Sequence, residues 1–180
     1  MFDEDALTHA NIGEFQLFFG FSVFSHLLPQ DLVTILNRAN RLLDDSGKIV
    51  ASMFLLDSQS RKWIESGKTN WYDSEIHEYD GVIVHDPLNP EVSVCYPEEE
   101  LRKLAEQSGF SISAIDYGNW RGINTNQFQD LVVFSKSSTA PADFSPSGYL
   151  TLNPDLALQQ NINPYWHYKV YGRNEGRRYK

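Results

Sequence analysis

The chain is poor in the features that would simplify its reading. Its 180 residues include one cysteine, Cys95, which excludes an internal disulfide framework and a cysteine-based zinc site and fits a reducing, cytoplasmic location. No apolar run approaches the length of a membrane span: the longest, Phe15 to Phe24, is short and is interrupted by Gln16, Gly20 and Ser22. The first residues, MFDEDALTH, are acidic, which is not the composition of a targeting signal. Basic charge is scarce too. A net charge of -9 argues against nucleic-acid partners, because phosphate contacts need clustered Lys and Arg. Finally, no G-x-G-x-x-G or relaxed equivalent occurs: Gly118 and Gly122 follow a strand pattern that comes after a helix, and Gly172 and Gly176 lie near the end of the chain. The five histidines, His9, His26, His77, His85 and His167, show no paired ligand spacing, so no metal is expected.

What is present is a well-punctuated α/β pattern. Phe15 to Phe24 is a nearly continuous apolar run, the signature of a strand covered on both faces in a parallel sheet. Ser25, Pro29 and Asp31 open a helix with Leu32, Ile35, Leu36, Ala39, Leu42 and Leu43 on one stripe, and Ser46-Gly47 stops it. Lys48 to Leu56 reads as a second buried strand, so residues 14–56 form a βαβ unit with a right-handed parallel crossover. A long polar and aromatic excursion follows, with a short strand at Gly81 to Val84. Tyr96-Pro97-Glu98-Glu99-Glu100 starts another helix, with carboxylates opposing the helix dipole, and Gly109 caps it. Phe110 to Tyr117 and Gln129 to Ser135 read as an antiparallel long-looped hairpin. The stretch SSTAPADFSPSG is a linker, giving a domain over 1–137, a linker over 138–148 and a small helical tail over 149–180.

The order of FSVFSHLLPQD, RLLDDSGKIVASMFLL, a variable segment, YPEEELRKLAEQSGF, DYGNW and QDLVVFS resembles the C-terminal half of class I S-adenosylmethionine-dependent methyltransferases, over roughly Asp3 to Ser137. The resemblance implies a Rossmann-like half-sheet in the strand order fourth, fifth, seventh, sixth, with the last hairpin antiparallel. It implies S-adenosylmethionine as cofactor and a small molecule or glycan as acceptor. Gly20, Phe21, Ser22 and Val23 match the loop that lies against the methionine part of the cofactor. Where the acceptor loses a proton, His26 and Tyr117 are the candidate bases, with His77 and His85 beside them, and His26 is alternatively a group that positions the cofactor; Trp71, Tyr72, His77, Tyr79 and Trp120 match the variable acceptor pocket. The bland readings stand beside these: Phe21 and Val23 as core, His26 as a helix-capping group, Trp71, Tyr72 and Trp120 as a seal over the sheet end.

The glycine-rich turn and ribose-binding acid of the family's first strands have no match here, so the first three strands are expected to be missing and independent activity is in question. On that reading strand 15–24 becomes a sheet edge, covered by a partner chain or by self-association, or left bare in a truncated fragment. A non-catalytic remnant or interaction subunit is the alternative to an enzyme. The tail separately resembles a short module found near bacterial glycosyltransferases, methyltransferases and surface proteins. Its motif residues are Tyr149, Leu150, Asn153, Pro154, Asp155, Asn163, Pro164, His167, Tyr168, Gly172, Glu175, Gly176 and Arg177.

Overall fold

The computed structural model describes residues 15–69, 76–137, 143–159, 162 and 164–180. Strand β1 (Phe15–Gly20) runs parallel to β2 (Leu43–Leu56), and helix α1 (Pro29–Leu42) makes the crossover between them. On its other side β2 pairs antiparallel with β7 (Asp130–Lys136), which pairs antiparallel with β6 (Phe110–Asp116). The order β1-β2-β7-β6 is the one expected from the sequence, and the fold class is α/β.

Three departures have physical causes. The second strand starts at Leu43 rather than Lys48, because the Asp44-Asp45-Ser46-Gly47 stretch is a bulge inside the strand rather than a turn before it. The partners jump from Phe15↔Leu43 to Leu17↔Lys48, and the Asp44 carboxylate takes the Ser46 N–H. The excursion after β2 is not only loop. It carries helix α2 (Ser58–Glu65), the hairpin β3 (His77–Tyr79) and β4 (Val82–Val84), and β5 (Val94–Pro97), which adds parallel to the carboxyl end of β2. Tyr96 and Pro97 therefore end a strand, and helix α3 (Glu98–Gln107) starts one residue later with Glu98, Glu99 and Glu100 in its first turn. Ser108 and Gly109 end that helix, Gly109 in the left-handed region at φ 78°, as expected of a C-terminal glycine.

The third departure is the first strand. Helices α1 and α3 cover one sheet face, where Leu32, Leu36, Ala39, Leu101, Leu104 and Ala105 pack on Ile49, Ala51, Met53, Phe110, Val132 and Phe134. On the opposite face only the carboxyl half is sealed, by Ile64 of α2 and by Trp120 against Phe54, Leu56, Ile83 and Cys95. Among the described residues, strand β1 is therefore covered on one face, not two. Phe18 packs on the core side, while Phe15, Leu17 and Phe19 remain 51%, 56% and 58% exposed. Its outer edge pairs with no described strand.

In the tail, α4 (Pro146–Leu152), α5 (Pro154–Ala157), α6 (Pro164–His167) and a π turn at Tyr168–Gly172 surround their own core. Tyr149, Leu156, Tyr165 and Tyr168 pack there with Phe144, which lies in the stretch read as linker. Tyr165 and Tyr168 are thus packing residues, whereas Tyr171 is exposed. Asn163, one of the tail's motif residues, lies outside the described residues. The tail docks at the amino end of β2: Arg41 donates to the Ile162 carbonyl, and the Tyr165 hydroxyl donates to Asp45. Lys136 donates to the Leu43 carbonyl while lying over the Tyr165 ring.

The two faces of the sheet predict opposite responses to substitution. Leu36→Ala, at a fully buried position, is expected to cost about 2–5 kcal/mol in urea unfolding. Leu17→Lys is expected to change stability by less than about 1 kcal/mol, because the side chain is already exposed, while lowering concentration-dependent light scattering.

Candidate functional site

The carboxyl ends of β1, β2 and β5 meet the loop that joins β6 to β7, the usual place for ligands in open α/β sheets. The turn after β1 is shaped by two local constraints. A Cβ on Gly20 would meet the Phe24 ring at 2.7 Å, so only glycine lets the chain fold back over that buried aromatic. Ser22 sits in the left-handed region at φ 51°, an uncommon conformation for a residue with a side chain.

A polar relay across three strands holds this conformation. The Ser22 N–H donates to Ser52 Oγ at 2.8 Å, and Ser52 Oγ donates to Gln129 Oε1 at 2.5 Å. Ser22 Oγ reaches the same Gln129 oxygen at 3.3 Å, while Gln129 Nε2 donates to Ser25 Oγ at 3.2 Å. Phe21, Ser22 and Val23 are exposed, so the turn presents backbone and one hydroxyl to solvent rather than joining the core. His26, also exposed, has Nδ1 2.8 Å from the Glu91 carbonyl. That contact makes Nδ1 the donor and leaves Nε2 as the basic nitrogen.

Behind this turn lies a buried carboxylate. Asp130 is 0% exposed, and its Oδ2 accepts the Leu55 N–H at 2.8 Å and the Trp120 Nε1–H at 2.9 Å. Its Oδ1 accepts the Gly118 N–H at 2.8 Å, an approach that needs glycine: a Cβ there would meet the Phe128 carbonyl at 2.1 Å. Burial raises the Asp130 carboxyl to about 6, against the pull of these donors and of Arg121. The Arg121 guanidinium is bound by Asp57, with Nη1 4.0 Å from Asp130 Oδ1. Asp57 also caps α2 through the N–H groups of Gln59 and Ser60. Burial raises its carboxyl, but the Ser60 N–H and Arg121 together outweigh this and hold it below the usual range.

Of the residues named from sequence, Gly20, Phe21, Ser22, Val23 and His26 share one turn. Tyr117 lies apart from it, with its ring under Arg121 at 4.0 Å and its hydroxyl donating to Glu98 Oε2 at 2.9 Å. Burial first, then Glu98, pushes that hydroxyl up, so its proton is committed. Trp120 is buried with its indole N–H spent on Asp130. His77, half-buried, and Tyr79, exposed, lie on β3, while Trp71 and Tyr72 fall outside the described residues. Two clefts open at this end of the sheet, of about 440 and 360 Å³; Asp57 and Glu98 line the larger and Arg121 the smaller, while none of Gly20, Phe21, Ser22, Val23, His26, His77, Tyr79, Tyr117 and Trp120 lines either. Ser25, Ser52, Gln129 and Asp130 were not singled out by sequence reasoning. Their signal was present: Ser52 interrupts the apolar run ASMFLL, and Gln129-Asp130 opens LVVF with two polar residues. Among the described residues no three His, Cys, Asp or Glu side chains converge as a metal-ligand group, and no helix is long and apolar enough to cross a membrane.

No family model matches the sequence. Similar solved structures include 1,6-didemethyltoxoflavin-N1-methyltransferase of Burkholderia thailandensis, solved with 1,6-didemethyltoxoflavin and S-adenosylhomocysteine. It is 15% identical, with a TM-score of 0.46 over 73% of this chain and 48% of that one. Mitomycin 7-O-methyltransferase is 13% identical, with a TM-score of 0.46 over 73% and 32%. A protein of Pyrococcus horikoshii is 14% identical, with a TM-score of 0.45 over 70% and 53%. The chain thus spans between 32% and 53% of the length of these proteins.

The buried carboxylate has a pH signature. Its folded value of about 6 lies above the unfolded 3.8, so the folded chain binds the proton more tightly. The stability contributed by this group is full below pH 4 and is lost as pH rises from about 4 to 6, by up to about 3 kcal/mol. Asp130→Asn is expected to remove that slope and to lower stability overall, since its amide NH2 must face either the Gly118 N–H or the Leu55 and Trp120 N–H groups. Urea unfolding of both proteins across this interval checks it, and a wild-type profile parallel to the variant's would contradict the assignment.

Proposed function

We propose that the chain is the acceptor-side half of an S-adenosylmethionine-dependent methyltransferase acting on a small-molecule or glycan acceptor. The observation that carries this is the Ser22 turn: a left-handed, glycine-led turn at the carboxyl end of β1, tied to β2 and β7 by Ser52 and Gln129. The strand order that positions it, with antiparallel β7 between β2 and β6, supports the same reading.

The described residues fit one end of the cofactor. Phe21, Ser22 and Val23, which follow the buried Gly20, are exposed and offer backbone and a hydroxyl suited to its methionine part, whereas a glycine-rich turn and ribose-binding acid are not found among the described residues. When bound, the cofactor supplies an electrophilic methyl group on a sulfonium. Displacement from it needs in-line alignment above all, so the protein's task is to hold the turn and the acceptor in one geometry. His26 Nε2 is the group assigned to take the acceptor's proton where one is lost, while the Tyr117 hydroxyl, bound to Glu98, is left to orient Arg121 and α3. His77, Tyr79, Trp71 and Tyr72 belong to the acceptor side in this proposal, and Trp120 acts from beneath through Asp130.

A second reading, an interaction subunit without catalysis, is favoured by one observation: the exposed stripe of Phe15, Leu17 and Phe19 beside a strand edge that pairs with nothing among the described residues. Calorimetric titration with S-adenosylmethionine and S-adenosylhomocysteine separates the two. Saturable micromolar binding, weakened by Gln129→Ala, is the expected result. Absence of heat with either compound would leave the interaction reading.

A further inference from the structure

The 360 Å³ cleft has a charge character opposite to that of the chain. It runs along one side of α2, past Ser58, Gln59, Lys62 and Trp63, to Lys68 and the Arg121-Gly122 turn. In a protein of net charge -9, its lining holds three cations, from α2, the loop that follows it and the turn at 119–121, and no carboxylate. Neither Lys62 nor Lys68 has a carboxylate partner among the described residues; Lys68 Nζ instead lies 5.7 Å from the centre of the Trp63 ring. The third cation, Arg121, is 2% exposed. Asp57 fixes its Nη2, Tyr117 lies against its face, and its buried Nη1 completes no hydrogen bond among the described residues, Asp130 Oδ1 being 4.0 Å away. Asp57 answers the Arg121 charge but not its Nη1 donor, and Lys62 and Lys68, with no carboxylate partner among the described residues, give the cleft a positive potential that an anion would relieve.

We infer that this cleft binds a small organic anion, a carboxylate or a phosphate monoester. Lys62 and Lys68 contact the charged group, Arg121 sets the potential from below, and Trp63 with Gln59 and Ser58 flanks the uncharged part. Charge-assisted contacts to oxyanions are the strong members of the hydrogen-bond series, and the indole supplies apolar area beside them. The inference goes beyond methyl transfer and does not depend on it: the anion is bound whether or not the chain carries a cofactor.

The test is a titration of the ¹⁵N-labelled chain with benzoate and, separately, with phenyl phosphate at low salt, followed by amide and indole resonances. Saturable shifts at Lys62, Trp63, Lys68 and Gly122 are expected. Response to benzoate alone assigns a carboxylate, to phenyl phosphate alone a phosphate monoester, and to both a site that reads charge and ring without choosing the headgroup. The exposed double variant Lys62→Gln, Lys68→Gln is expected to keep its melting temperature and to bind at least about tenfold more weakly. Arg121→Ala is avoided because it strands Asp57 and Asp130. No shift with either probe at about 10 mM, where even a millimolar ligand is mostly bound, would overturn the inference. Undiminished binding by the double variant would overturn it equally.

Discussion

Asp130 is where the pieces of this protein are fastened together. Its carboxylate accepts N–H groups from Leu55 on β2, from Gly118 after β6 and from the Trp120 indole, and Arg121 stands at its side. The end of β2 and the loop after β6 are thereby set relative to the start of β7 by one side chain. Removing water from a carboxylate is costly, and here three donors offset part of that cost while each fixes a direction. The consequence is local order at the carboxyl end of the sheet. Gln129, the residue before Asp130, is held in register to bridge Ser22, Ser52 and Ser25, and Arg121, close behind Trp120, is held to engage Asp57 at the start of α2. The proposed cofactor turn and the cationic cleft are two outcomes of the same anchoring.

At the other end the sheet is built differently. The bulge after Leu43 turns Asp44 and Asp45 outward, and Asp45 receives the Tyr165 hydroxyl of the tail. Burial lowers the Lys136 ammonium to about 8 even with those two carboxylates nearby, and it lies between the Leu43 carbonyl and the Tyr165 ring. The tail is therefore fastened by polar groups to the amino end of β2, away from the proposed site. Between the two ends, β1 carries an apolar stripe with no charged residue in it, and its outer edge pairs with no strand among the described residues.

The sequence announced the elements whose signals are local. The stripe Leu32, Leu36, Ala39 marked α1, the apolar run ending ASMFLL marked β2, and the alternation around QDLVVFS marked the final hairpin. It was silent where the deciding partner is distant. Strand β5 is four residues long and ends in a proline that looks like a helix opener, so only its pairing with Phe54 to Leu56 identifies it. The apolar character of β1 was legible, but how many faces are covered depends on which elements lie beside it. At the site, His26 and Gly20 to Val23 were visible as a loop after a buried strand. For Trp120 the sequence leaves two readings open, a pocket wall or a seal over the sheet end, and only its packing on Phe54 and its N–H on Asp130, ten residues on, show what it does. Ser52 and Gln129 drew no notice because single polar residues in strands are common, and their meaning lies in meeting across β2 and β7.

The account rests on Asp130 acting as a shared anchor rather than as one more satisfied polar group, and amide hydrogen exchange tests this directly. If it is correct, the Leu55 and Gly118 amides, in a strand and a loop respectively, exchange only through the same large opening in the wild type. Both then lose protection together in Asp130→Asn while the Ile49 amide, outside the network, keeps its rank. If Gly118 exchanges at the rate of the surrounding loop in both proteins, the carboxylate does not hold the segments together, and the order assigned to the site must come from elsewhere.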